Sequence, residues 1–284
     1  MIKNLVLSGA GIKLYIFVGC LKYLEEKEIL KNINSFCGTS SGSIVSVGLC
    51  LGYSVDEISE LLIKLNTDNF KKIDSEGILN FFDNYGIDDA KNIERVFRII
   101  IKAKTKDENI TFKELYKLTK KELTITTSNL NKTDTEFFNY RKTPDFKVID
   151  ALLCSMCVPI IYKPYIFNGN YYIDGGLTDN YPIDYFKEEK DKTLGIVILS
   201  EYNNQININS VEDYLYSLLV CLFNKLLSNT IKEYEFNTIK IYNETSFLSF
   251  DLDTQEKTNM INVGFEETSK YFENEEVKKY YELD

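Results

Sequence analysis

An α/β fold with a mainly parallel central sheet is predicted for this 284-residue chain by the way short apolar runs alternate with amphipathic stretches. Three observations carry the prediction. Ile2 to Leu7 is an apolar-rich run stopped by Ser8-Gly9, as a buried strand is. Tyr15 to Glu26 reads as a helix and Ile33 to Cys37 as the next strand. Ser43 to Leu51 has small and apolar residues on nearly all sides, as a helix buried against a sheet would. The order strand, helix, strand, helix implies parallel strands joined by crossovers.

The remaining elements come in chain order. Ser54-Val55-Asp56-Glu57 has capping-box spacing and opens a helix whose Ile58, Leu61, Leu62 and Leu65 share one face. Asp88 to Lys104 reads as an amphipathic helix. Leu123 to Ser128 alternates threonine with branched residues and is expected to pair with Thr135 to Tyr140 across the Asn131-Lys132-Thr133 turn. Leu194 to Leu199 is a late buried strand. Ser210 to Ile231 places Val211, Tyr214, Leu215, Leu218, Leu219, Leu222, Phe223, Leu226 and Leu227 at helical spacing. Two readings of that stripe stay open: a helix covering the sheet, which is favoured, and a lid or interfacial helix beside a groove. A single domain over residues 1–284 is expected, with a motif-bearing core over 1–204 and a less regular part over 205–284.

Composition narrows the functions. The formal charge is -10, which argues against a non-specific grip on nucleic acid or on strongly anionic membranes. The amino terminus leaves no room for a secretory leader, and Leu218 to Phe223 is far short of the roughly 18 apolar residues a membrane span needs. A cytoplasmic location, or one peripheral to membranes, is therefore expected. The six cysteines sit mostly inside apolar runs and read as buried free thiols. Cys154 and Cys157 lack the second pair that a zinc site requires, so no metal is expected.

Two glycine segments and one aspartate frame the chemistry. Ser8-Gly9-Ala10-Gly11 follows the first strand, where backbone amides without bulky side chains converge at a helix start, a candidate oxyanion hole. A dinucleotide fingerprint is rejected because Leu14 stands where its last glycine belongs and no suitable acidic residue ends the second strand. Gly38-Thr39-Ser40-Ser41-Gly42 matches G-x-S-x-G, with a strand before it and a helix after it, the setting of a serine nucleophile elbow. A serine hydroxyl needs a base, and the chain contains no histidine, so the base must be Asp, Glu, Lys or Tyr. Ser43 occupies the position that a lysine of S-x-x-K type would take. Asp174-Gly175-Gly176 follows the apolar strand end Tyr171-Tyr172-Ile173, which puts an aspartate where a strand meets a loop. A plain D-G hairpin turn is the alternative there.

At these places the sequence resembles the patatin-like phospholipase family. Ser8 to Lys13 is similar to the family's glycine-rich oxyanion segment, Gly38 to Gly42 to its nucleophile elbow, and Asp174-Gly175-Gly176 to its catalytic D-G-G motif. Gly52-Tyr53-Ser54, Thr111 to Leu115, Thr143-Pro144, Ala151 to Pro159 and Leu177 to Pro182 also resemble family positions, and Val263-Gly264-Phe265-Glu266 looks like the start of its last helix. The resemblance implies a three-layer α/β/α hydrolase working through a Ser40-Asp174 dyad without calcium or another cofactor. It also implies oxyanion donors among Gly9, Ala10, Gly11 and Ile12. The implied substrate is a phospholipid or lysophospholipid met in transient contact with a membrane surface. Ala10, Lys13 and Leu14 depart from the family's usual glycine, arginine and glycine. They keep open a weakly active lipid-binding protein, and a soluble-substrate esterase or acyltransferase with the same dyad is a further alternative.

Overall fold

The computed structural model describes residues 1–65, 81–200, 208–209, 211–246, 249 and 251–281. The chain begins with β1 (Asn4–Leu7), a short 3-10 helix (Gly11–Leu14) and α1 (Tyr15–Glu26). β2 (Ser35–Thr39) runs straight into α2 (Ser41–Cys50), followed by α3 (Val55–Lys64). Next come β3 (Gly86–Asp88), α4 (Lys91–Thr105), α5 (Phe112–Thr119) and the hairpin of β4 (Glu122–Asn129) and β5 (Asp134–Asn139). α6 (Val148–Met156) leads to β6 (Ile160–Tyr162), β7 (Tyr165–Phe167), β8 (Asn170–Asp174) and the single-turn α7 (Gly176–Asp179). β9 (Thr193–Leu199), α8 (Val211–Glu233), β10 (Thr238–Tyr242), α9 (Thr254–Glu273) and α10 (Glu275–Tyr281) complete the described chain.

The main sheet has the order β10-β9-β1-β2-β4-β8-β7, with β5 also paired to β4. The five strands from β10 to β4 are mutually parallel, and β5, β7 and β8 join antiparallel. Period-2 alternation makes it the middle layer of three. Leu5, Leu7, Phe36, Leu194 and Ile196 pack into the larger core with α1 and α9, whereas Val6, Cys37 and Val197 face the smaller core of Tyr181, Ile183, Leu227 and Tyr234.

The register of β4 brings the site together. Thr126 pairs with Thr39 at the end of β2, and the next residue, Thr127, pairs with Asp174 at the end of β8. β5 occupies the other edge of β4, since it pairs with residues that both β2 and β8 also use. Two strand ends of opposite direction therefore meet on one edge, and Ser40 is the residue directly after Thr39. Asp174 ends a strand and enters α7, so the aspartate sits at a strand-to-helix junction and not in a hairpin turn.

Two expectations need correction. Val263 to Glu266 lies in the middle of α9, which starts at Thr254 after a reciprocal Asp253/Glu256 capping box, and α10 comes after it. Gly264 is in that helix for close approach: a Cβ there would run into the Ile16 carbonyl of α1, and one on Gly19 would run into that of Ile261. Cys221 is exposed, unlike the other five thiols, because it lies on the outward face of α8. Ser210 and the side chains of Val211, Leu215 and Phe223 lie outside the described residues. The rest of the stripe divides: Leu219 and Leu227 are buried, while Tyr214, Leu218, Leu222 and Leu226 are exposed. Among the described residues no helix is long and apolar enough to cross a membrane.

Candidate active site

Ser40 occupies the one-residue joint between β2 and α2, with φ 52° and ψ -122°. That backbone region is sparsely populated for a side-chain-bearing residue and costs on the order of 1–3 kcal/mol, so the surroundings must impose it. They do so by crowding. A Cβ on Gly38 would collide with the Gly42 backbone, and one on Gly42 with the carbonyls of Leu7 and Ser8. Both glycines of the G-x-S-x-G segment are thus required by close approach. The Ser40 N–H donates to Ser155 Oγ at 2.8 Å, and the Ser43 hydroxyl donates to the Ser40 carbonyl.

The turn aims the Ser40 hydroxyl at Asp174. Its Oγ–H donates to Oδ2 at 2.6 Å, in the range of hydrogen bonds to an ionised oxygen. The other carboxylate oxygen, Oδ1, accepts from the Gly176 N–H at 2.8 Å. Ser128 Oγ donates to the Asp174 carbonyl, and the Asp174 N–H donates to the Cys157 carbonyl, so the aspartate is fixed through its backbone as well. Burial pushes the carboxyl up to about 6, against the opposing pull of the Ser40 and Gly176 hydrogen bonds. Asp179, one turn on, is pushed up to about 7 mainly by burial, with the Asp184 charge adding to it. Thr39 Oγ1 donates to the Asp179 carbonyl and ties that turn to the end of β2.

The glycine-rich segment lies against the same cleft. Gly9, Ala10, Gly11 and Lys13 line it together with Ser40 and Asp174. The Gly9 N–H already donates to the Asn180 carbonyl at 3.0 Å, and the Ala10 N–H to Ser41 Oγ at 2.9 Å. The 3-10 helix begins at Gly11 and its first turn closes from the Lys13 N–H to the Ala10 carbonyl, which leaves the Gly11 and Ile12 amides outside the ladder. The four-residue set therefore divides, two amides holding the segment in place and two at the open helix start. Gly11 takes φ 56°, where glycine is favoured, whereas Ala10 has φ -146° and needs no glycine.

Lys13 is 2% exposed. Its ammonium donates to Ser200 Oγ at 3.2 Å and to the Asn243 carbonyl at 3.3 Å, and burial lowers its pKa to about 8. Leu14 is buried in the core. Sequence reasoning gave no role to Ser41, Ser155 or Asn180. Each acts through a backbone contact that depends on tertiary placement, although Ser155 and Asn180 fall within Ala151–Pro159 and Leu177–Pro182, segments already singled out.

The three-layer α/β fold thus carries a strained serine at a strand-to-helix turn, its hydroxyl bonded to a buried carboxylate. The model of the patatin-like phospholipase family matches residues 5–187, and the chain belongs to that family of lipid hydrolases. A probable lipid hydrolase of Invertebrate iridescent virus 6 is 33% identical over 277 residues, covering 94% of this chain and 88% of the viral one. An uncharacterized protein of Acanthamoeba polyphaga mimivirus is also 33% identical, over 274 residues, covering 93% and 91%. Among solved structures, VipD from Legionella pneumophila aligns with a TM-score of 0.62 at 16% identity, over 95% of this chain and 66% of that one. ExoU of Pseudomonas aeruginosa, in its complex with SpcU, aligns with a TM-score of 0.55 at 20% identity, over 96% and 52%. The chain thus spans about half to two thirds of these structures, and at such identities they speak for the fold alone.

Proposed function

We propose that the protein is a calcium-independent lipid acyl hydrolase acting on phospholipid or lysophospholipid through a Ser40-Asp174 dyad. The observation that carries this reading is the 2.6 Å hydrogen bond from Ser40 Oγ to Asp174 Oδ2. Asp174 takes the hydroxyl proton as Ser40 Oγ bonds to the acyl carbon. The carbonyl oxygen becomes an oxyanion and accepts hydrogen bonds from the Gly11 and Ile12 amides, each contributing on the order of 3 kcal/mol to the transition state. As the intermediate collapses, Asp174 returns the proton to the departing alcohol oxygen and the acyl group stays on Ser40. Asp174 then takes a proton from water, whose oxygen attacks the acyl carbon, and proton return to Ser40 releases the fatty acid. The proton path is complete without a metal ion. The strained elbow positions the nucleophile before substrate arrives, which lowers the entropy cost of reaching the transition state.

Transient contact with a membrane surface is part of the proposal. Leu219 and Leu227 of α8 line the cleft that holds Ser40. The same helix leaves Tyr214, Leu218, Leu222 and Leu226 exposed at four-residue spacing. The test is fatty-acid release from phospholipid vesicles under excess chelator. Release by the wild type and none by Ser40→Ala is expected; equal release by both, or release only on adding calcium, refutes the proposal.

A further inference from the structure

Ser40 opens onto two clefts of different character. The first carries Lys13, Asn180 and Ser200 among its lining. The second shares Gly11, Ser40 and Val158 with it and, apart from Ser41, is walled mainly by apolar groups, Ile12, Leu14, Ile44 and Ile93 among them. A third, smaller apolar space lies between α2, α3 and α4 and again includes Ile44.

Two helices run alongside this series of spaces. On α2, Ile44 lies one turn beyond Ser40 and borders both apolar spaces, and Val47 and Gly48, one turn further, border the far one. On α4, Ile93 lines the near cleft and Phe97, Ile100 and Ile101 line the far one. Spacings of three and four keep each set on one helix face. From Ser40 to Gly48 the axis advances about 12 Å. Gly48 lets α2 lie close to α3, since a Cβ there would come within 3.2 Å of Ile58 Cδ1.

We infer that the acyl chain of the substrate lies along this path, entering beside Ile12 and Leu14 and passing Ile44 into the space between α2, α3 and α4. The alcohol portion leaves through the cleft of Lys13, and Ile44 sets how long an acyl chain is accepted. This rests on the acyl-hydrolase reading of Ser40. An extended hydrocarbon gains by moving from water into an apolar channel, whereas the polar glycerol side keeps hydrogen-bonding partners in the other cleft.

The test compares kcat/KM for p-nitrophenyl palmitate and p-nitrophenyl butyrate in the wild type, Ile44→Trp, Ile44→Ala and Ile100→Trp, with folding checked by circular dichroism. Ile44→Trp narrows the passage and is expected to lower the palmitate-to-butyrate ratio about tenfold or more. Ile44→Ala should raise that ratio, and Ile100→Trp, at a half-buried position beyond the passage, should lower it even if Ile44→Trp does not fold. Ratios in the folded variants that stay at the wild-type value overturn the acyl path while leaving Ser40 chemistry standing. A wild type that hydrolyses neither ester overturns the hydrolase reading and the path with it.

Discussion

At Ser40 the backbone is held at φ 52° so that one hydroxyl meets one buried carboxylate. In the proposed mechanism Asp174 is ionised when it accepts the proton, and its pKa is raised to about 6 by burial. The rate is therefore expected to fall as pH drops through about 6, and an acidic limb in kcat/KM at or below about pH 4 contradicts this. The same shift bears on stability. A carboxyl whose pKa rises from about 4 unfolded to about 6 folded favours the folded state fully below about pH 4, and that contribution is lost as pH rises through 6. Asp174→Asn removes this dependence, so its stability relative to wild type should improve by on the order of 3 kcal/mol between pH 4 and pH 8 in urea unfolding. Ser155→Ala leaves the Ser40 N–H buried without its partner. It should cost about 1–3 kcal/mol of stability in the same assay and also lower kcat. Ser40 and Asp174 were readable from motif and strand position. The division of the glycine-rich segment was not, because the Gly9 and Ala10 amides find partners on Asn180 and Ser41, distant in sequence.

Element boundaries were readable where local chemistry sets them. Tyr15 to Glu26 forms the expected helix, and Ser54 with Glu57 makes the reciprocal capping box its spacing predicts. β1 begins two residues into its apolar run and ends with it at Leu7, while β2 is displaced by two residues, since pairing with a neighbour, and not hydrophobicity, decides where a strand is registered. Val263 to Glu266 was expected, from the resemblance alone, to open the last helix, whereas Gly264 lies inside α9. Its function is tertiary, letting α9 lie against α1, and only packing reveals that. Gly264→Val should accordingly destabilise the fold by about 3 kcal/mol or more in urea unfolding. A change below about 0.5 kcal/mol would show that the helices tolerate separation.

Across the whole molecule, parallel strands bring β2 to the edge of β4 from one end while an antiparallel β8 brings Asp174 to the same edge from the other. Strand-helix alternation in the sequence announced the parallel part and the Asn131-Lys132-Thr133 turn announced the β4–β5 hairpin, whereas β7 and β8 are strands of three and five residues whose partners no local pattern names. The α8 helix covers the cleft with one face and leaves apolar side chains on the other. Replacing Leu218 and Leu222 together by Glu is expected to lower turnover on vesicles well below turnover on a monomeric ester. An equal loss on both substrates would assign the stripe to folding alone. The central claim is that Asp174 makes Ser40 a nucleophile, and covalent capture tests it most directly. Wild type, Ser40→Ala and Asp174→Asn are incubated with an alkyl fluorophosphonate, and the modified residue and its rate of modification are read by mass spectrometry. Stoichiometric labelling of Ser40, none in Ser40→Ala and strongly slowed labelling in Asp174→Asn is the predicted result; labelling elsewhere, or at an unchanged rate without Asp174, would contradict it.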